Sequence, residues 1–302
     1  MGVNKVPQQP VAAFIVALAA VGVLSAMDAI MKGLVIAIGI YATSVWRSVI
    51  GLVIASVYYL PGRQNWPNPT TLRLHLVRGV VITAMGLLFF WGLGRTPMAQ
   101  AIALTFIAPL LSLFLSALFL KESIGPRTII GSFAAFCGVV LILAGQAKLN
   151  LGRDAVLGSI AILGSAVCYA VNIVLMRAQS MAAKPPEIAF FQNGTIAVLM
   201  IASLPFLGGV ALPTSHWLAL FAAAFMSFVG LVLFAWAYAR GQASYLSVSE
   251  YSGFVWAALF GWLVFREHVS PYTLAGAVLI VGGCVFAART RKIEHPTLES
   301  VG

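Results

Sequence analysis

Few side chains in this sequence could do chemistry, and they lie in unusual company. Asp28, Lys32, Arg47, Arg78, Asn172, Gln192 and Glu250 all stand inside long apolar runs. An ionised group at a bilayer centre costs about 2.5 to 3.5 kcal/mol on insertion scales, so each needs a partner, a route to the interface or a wet cavity. Asp28 and Lys32, with Ser25, share one helix face. They either pair with each other, with Lys32 reaching out to the interface, or face a cavity. Arg47 lies about 8 to 14 Å inside its run at 1.5 Å per residue. Its guanidinium either binds a substrate carboxylate bidentately or ties helices together through backbone carbonyls or Asp28. Arg78, beside Arg73 and His75, stands nearer a membrane face and is expected to snorkel. Ser247, Glu250 and Tyr251 share a helical face, and Glu250 either receives an amino group, carries a proton or pairs with Arg78 or Arg47.

Taken together these groups suit recognition of a small zwitterion, its carboxylate near Arg47 or Asn172 and its ammonium near Glu250 or Asp28. Phe90, Trp91, Tyr169, Trp236 and Tyr238 are candidate aromatic walls for such a site, although aromatic residues in membrane proteins equally pack or sit at interfaces. Catalysis is poorly provided for. His75, His216, His268 and His295 lie at run edges or outside, and no HExxH or GxSxG pattern is present. Cys137, Cys168 and Cys284 lack CxxC or Cys/His spacing and read as packing residues, so neither a metal nor another cofactor is expected.

The elements that must position these groups follow from composition. Of 302 residues, 61% are hydrophobic and 9% charged, against about 45 to 50% and about 25% in soluble domains. A soluble globule is excluded. Apolar stretches run over 11–34, 38–60, 74–94, 97–120, 126–146, 155–176, 187–208, 215–239, 243–265 and 271–288. Runs of this length cross lipid as helices, because an open strand would leave its amides unpaired. The first run also resembles a signal peptide, but it is too long for a typical h-region. The formal charge of +10 is spread through the gaps between runs, which argues against nucleic acid. Placing the N-terminus inside puts eleven Lys and Arg in cytoplasmic segments and five outside, so both termini are expected in the cytoplasm.

Sliding the chain on itself by 145 positions superposes Phe89 on Phe234, Trp91 on Trp236, Arg95 on Arg240, Glu122 on Glu267, Pro126 on Pro271, Gly131 on Gly276 and Gly138 on Gly283. The chain therefore reads as two homologous five-helix halves, residues 1–146 and 147–302. An odd number of crossings inserts the second half upside down relative to the first, the arrangement of many carriers. Helix four carries Pro109 and helix nine carries Gly253, within one position of each other on this offset, so both are expected to be interrupted, as substrate-binding helices of carriers often are. Glu122 and Glu267 precede short elbows and are assigned to capping or loop pairing. Gly131, Ser132, Ala134, Ala135 and Gly138 offer either a dimer face or close internal packing, and both a monomer and a homodimer stay open.

Trp46-Arg47 early in helix two, the run from Leu118 to Glu122 followed by Pro126 and Gly131, and the run from Leu263 to Glu267 followed by Pro271 and Gly276 are similar to the drug/metabolite transporter superfamily. Specifically, the chain resembles the ten-helix EamA-type members over residues 11–288, and among these the aromatic and amino-acid exporters. The resemblance implies an all-α inner-membrane protein that moves small metabolites, most simply amino acids, outward by alternating access. Import or exchange of a bulkier or cationic drug-like solute is the alternative. An intramembrane enzyme lacks a nucleophile and base, and a channel would need a continuous polar stripe, whereas the polar groups converge near midspan in helices one, two and nine.

Overall fold

A computed structural model describes residues 10–62, 66–120, 126–148, 152–207, 210, 213–238, 240, 246 and 249–288. The described residues form helices and connecting turns, with no strand among them. Helix α1 (Pro10–Tyr59) holds the first two apolar runs as one element, bent at Gly39, whose φ of 78° and ψ of 160° lie outside the helical region. A side chain would be strained in that backbone, so the glycine is what lets the chain turn back without a loop. Thr43 Oγ donates to the Gly39 carbonyl at 2.7 Å, satisfying an acceptor next to the bend. The sequence separates the two runs at 34–38; the structure carries helix through that stretch and breaks at the single glycine.

Helix α2 (Pro69–Leu93) starts where Asn68 Oδ1 accepts the Thr71 N–H at 2.8 Å and a proline occupies the first turn. The fourth run is divided into α3 (Met98–Thr105) and α4 (Ala108–Leu120), with a turn at Phe106 and Ile107. Then follow α5 (Pro126–Lys148), α6 (Gly152–Ala182), α7 (Pro185–Ala202), the one-turn α8 (Leu204–Leu207), α9 (Trp217–Tyr238), α10 (Gly253–Phe265) and α11 (Pro271–Ala288). Among the described residues five helices are long and apolar enough to cross a membrane, and shorter apolar helices accompany them. Their outer faces suit lipid: Leu218 is 84% and Phe133 69% exposed.

The halves pack as exchanged mates. Helices α5 and α11 lie against each other along four glycines. A Cβ on Gly138 would stand 2.6 Å from the Gly276 carbonyl oxygen, one on Gly276 would stand 2.6 Å from the Gly138 oxygen, and Gly283 abuts the Gly131 oxygen as closely. The pairing runs antiparallel. Replacing each glycine by its mate 145 positions away turns the Gly138–Gly276 contact into Gly283–Gly131. The small residues of the fifth run thus serve close internal packing, the contact that drives helix association where surrounding lipid removes the hydrophobic incentive. The same exchange relates Gly92 against Gly158, between α2 and α6, to the buried cluster of Ala237 and Ala13, between α9 and α1. The repeats are therefore inverted, related by a two-fold across the helix axes.

Candidate functional site

The bend at Gly39 doubles α1 back, so that Asp28 on its first leg and Arg47 on its second come within electrostatic reach. No hydrogen bond or ion-pair contact joins them among the described residues. Arg47 donates from Nη2 to Ser227 Oγ on α9 at 3.3 Å, lies over the Phe90 ring at 5.8 Å, and keeps its buried Nε without a partner. Gln192, the mate of Arg47 in the second half, is half-buried on α7 and makes no hydrogen bond to described residues. Tyr169 on α6 is exposed over 37% of its surface, and the exposed Glu250 lies within electrostatic reach of it and of Tyr251.

Both expected helix interruptions are present, and they meet. The fourth run breaks at Phe106, with Pro109 in the first turn of α4, where its missing N–H costs nothing. The ninth run turns at Tyr251 and Ser252 before α10 begins at Gly253. Phe106 and Tyr251 are mates on the 145 offset, and their rings pack edge to face. The Phe106 carbonyl, at the break, accepts the Cys284 thiol at 3.1 Å, while Ser249 and Ser252 hydroxyls donate to carbonyls three residues back at 2.6 Å. Cys284 is thus a packing residue that also satisfies a backbone acceptor at the break.

At one end of the bundle Lys32 is only 3% exposed. Its ammonium donates to the Thr96 carbonyl at 2.6 Å and pairs with Glu267 Oε1, while Glu267 Oε2 accepts the Met98 N–H at 2.7 Å, capping α3. The expected snorkelling of Lys32, or its pairing with Asp28, is replaced by this latch, because Arg266 adopts the left-handed conformation at φ 58° and turns Glu267 back over the bundle. Glu267 serves the loop pairing and the capping expected of it. Glu122 lies outside the described residues.

At the opposite end the sequence reading of Arg78 is also corrected. Arg78 is 6% exposed and does not snorkel. Its Nε donates to Asn172 Oδ1 at 2.9 Å and its Nη1 to Gln179 Oε1; the Gln179 amide meets His75 Nδ1, and His75 Nε2 lies 3.0 Å from Glu187 Oε1. The His75 ring stacks on Phe191 at 4.7 Å. Asn172 is thus engaged by the protein itself. His75, Gln179 and Glu187 were not singled out from sequence; the signal was the spacing of His75 with Arg78 on α2 and of Asn172 with Gln179 on α6, each on one helix face.

Trp91 and Trp236 are placed at the ends of α2 and α9. Arg95 covers the Trp91 ring at 3.8 Å and Arg240 covers Trp236 at 4.3 Å, each arginine also donating to the carbonyl of its tryptophan. These matched stacks suit an interfacial belt. Ser247 lies outside the described residues, as does the side chain of Tyr238.

The sequence profile of the EamA-like transporter family matches this chain twice, over residues 11–144 and 156–289. The chain is 31% identical over 221 residues to the pseudopaline exporter CntI of Pseudomonas aeruginosa, covering 72% of this chain and 75% of the exporter. It is 27% identical over 262 residues to a riboflavin transporter of Vibrio cholerae, covering 82% and 83%. Against the aromatic amino acid exporter YddG of Ancylobacter novellus it is 28% identical over 234 residues, covering 74% and 77%. One crystal structure superposes with a TM-score of 0.61 at 21% identity, over 94% of this chain and 100% of the other, and shares its fold.

Proposed function

Because the chain belongs to the EamA-like transporter family, we propose that it is an alternating-access carrier that exports small zwitterionic metabolites, amino acids first among them, across the bacterial inner membrane. The observation that carries the substrate reading is the separation of Asp28 from Arg47: opposite charges within reach, neither bonded to the other, one with a buried donor left over. A buried unsatisfied donor is costly, and a ligand carboxylate on Arg47 with its ammonium on Asp28 would satisfy both charges. Phe90 beneath the guanidinium, with Tyr169, Gln192, Glu250 and Tyr251, completes the proposed cavity. Asn172 and Arg78 are already bonded to each other.

The carrier reading draws on the inverted halves and on the paired breaks at Phe106 and Tyr251, since exchange of conformations between two such halves opens a central site to alternate sides. The distribution of Lys and Arg favours cytoplasmic termini. A second reading, import or exchange of a bulkier or cationic solute, is favoured by the riboflavin transporters among the relatives and by the two acids, Asp28 and Glu250, among the candidate cavity residues.

Counterflow in proteoliposomes tests the proposal. Preloaded unlabelled L-phenylalanine, L-leucine or L-glutamate is expected to drive saturable uptake of the same labelled compound, with a higher half-saturation concentration in Arg47→Ala. Saturable counterflow of riboflavin alone would instead establish the second reading.

A further inference from the structure

The chain of side chains that joins α2, α6 and α7 has a fixed polarity. An arginine can only donate, so Arg78 Nη1 forces the Gln179 oxygen to face it. The Gln179 NH2 must then face His75 Nδ1, and that nitrogen must present its lone pair. The ring proton is left on Nε2, where it donates to Glu187 Oε1 at 3.0 Å. An amide flip cannot relieve this, because it would set NH2 against the guanidinium. Resting on the carrier reading above, we propose that His75 Nδ1 is a proton-binding site of this transporter, and that proton uptake there breaks the His75–Gln179 bond, one of the three side-chain bonds described between α2 and α6, so that protons favour opening of this end.

The balance is simple. One proton from the aqueous phase on this side joins the Nδ1 lone pair, no bond is broken covalently, and the imidazolium keeps Glu187 as its counter-charge. The new Nδ1–H then opposes the Gln179 NH2. Glu187, in the first turn of α7 with its side chain 18% exposed, offers the route from water. Among the described side chains on helices packed against α2, Glu187 is the charged group bonded to the ring. Lys184 stands three positions before it, and Tyr59 of α1 packs on Phe191 beyond the ring. On α1, Asp28 and Arg47 lie within electrostatic reach of each other and Lys32 is held by Glu267. Asp154 and Arg153 lie about 37 Å or more from Gln179 along α6 at 1.5 Å per residue, and α3 carries no titratable group. On α2 itself Arg73 lies one turn or less from His75, and Arg78 acts on the ring through Gln179.

The inverted halves supply an internal control. The mates of His75, Arg78, Gln179, Asn172 and Glu187 are Leu220, Ala223, Leu34, Met27 and Ala42, every one buried and apolar. The five corresponding positions of the other half therefore carry no hydrogen-bonding side chain. A buried polar network is seldom more stable than well-packed apolar residues of similar volume, so its presence at one end only calls for a use.

Nitrogen-15 NMR of the four imidazoles in the purified full chain tests this, with His75→Gln assigning the resonance. Near pH 8 the ring is expected as the Nε2–H tautomer, and it should gain its second proton on acidification to about pH 5.5. Hydrogen exchange around Gln179, corrected for the intrinsic pH effect, should then rise by roughly two- to tenfold, the loss of one neutral hydrogen bond. Gln179→Glu, which offers acceptors to both Arg78 and the protonated ring, should let the ring carry two protons without that rise. A ring that is Nδ1–H near pH 8, one that stays singly protonated throughout, or one that titrates with exchange unchanged would each overturn the proposal. These readouts need no transported solute, so absence of counterflow would sink the carrier reading and leave the proton site to be judged separately.

Discussion

Phe106 and Tyr251 hold the same position in the two halves, 145 residues apart, and their rings meet with centroids 5.3 Å apart and planes at 85°. Each stands at the interruption of its own run. Such mates can touch only where the axis relating the halves passes, so the two breaks adjoin at the centre of symmetry. Edge-to-face aromatic pairs contribute about 0.5 to 1.5 kcal/mol beyond burial. Phe106→Leu and Tyr251→Leu are each expected to speed interchange between facing states, and the double variant to do no more than either alone. Single-molecule FRET across the bundle measures those rates.

Removing the Arg47 guanidinium should raise the half-saturation concentration of the counterflow substrate by about 10- to 100-fold, the worth of a charge-assisted hydrogen bond. Arg47→Lys should recover part of this, since an ammonium keeps the charge but loses the fork. Initial-rate counterflow with the responsive amino acid checks both.

Gly138→Leu is expected to leave little folded protein, because its Cβ alone would already press on the Gly276 backbone. Gly33→Ala meets nothing within 4 Å and should be neutral or raise the melting temperature slightly, as alanine favours helix over glycine by about 1 kcal/mol. Thermal unfolding in detergent, followed by size-exclusion fluorescence, compares them.

Breaking the Lys32–Glu267 latch from one side strands a buried charge, at a cost of about 3 to 5 kcal/mol. Lys32→Met should therefore destabilise the protein more than Lys32→Met combined with Glu267→Gln. The melting temperatures of the parent, Lys32→Met, Glu267→Gln and the double variant close the cycle.

Much of this architecture is legible before any coordinates. The apolar runs and the 145 offset specify helices and an inverted duplication, because lipid leaves the backbone no other solution and an odd repeat must flip. Pro109 and Gly253 mark the interrupted runs because backbone restrictions act locally. Partner choice is what stayed hidden. Lys32 finds Glu267 instead of Asp28 because of the left-handed turn at Arg266, and Arg78 finds amides on α6 because Gly92 and Gly158 let α2 and α6 approach closely. Both depend on how helices lie against one another, which spacing along one chain does not encode. Trp91 and Trp236 matched on the offset, but their use was set by Arg95 and Arg240 one turn later.

The bend at Gly39 gives the molecule a crank. Lys32, Asp28 and Arg47 ride on one helical shaft with a single joint between its arms. Twisting the first arm far enough to pull the ammonium off Glu267 must also swing the carboxylate relative to the guanidinium, so the latch at the rim and the proposed grip on cargo cannot be worked independently.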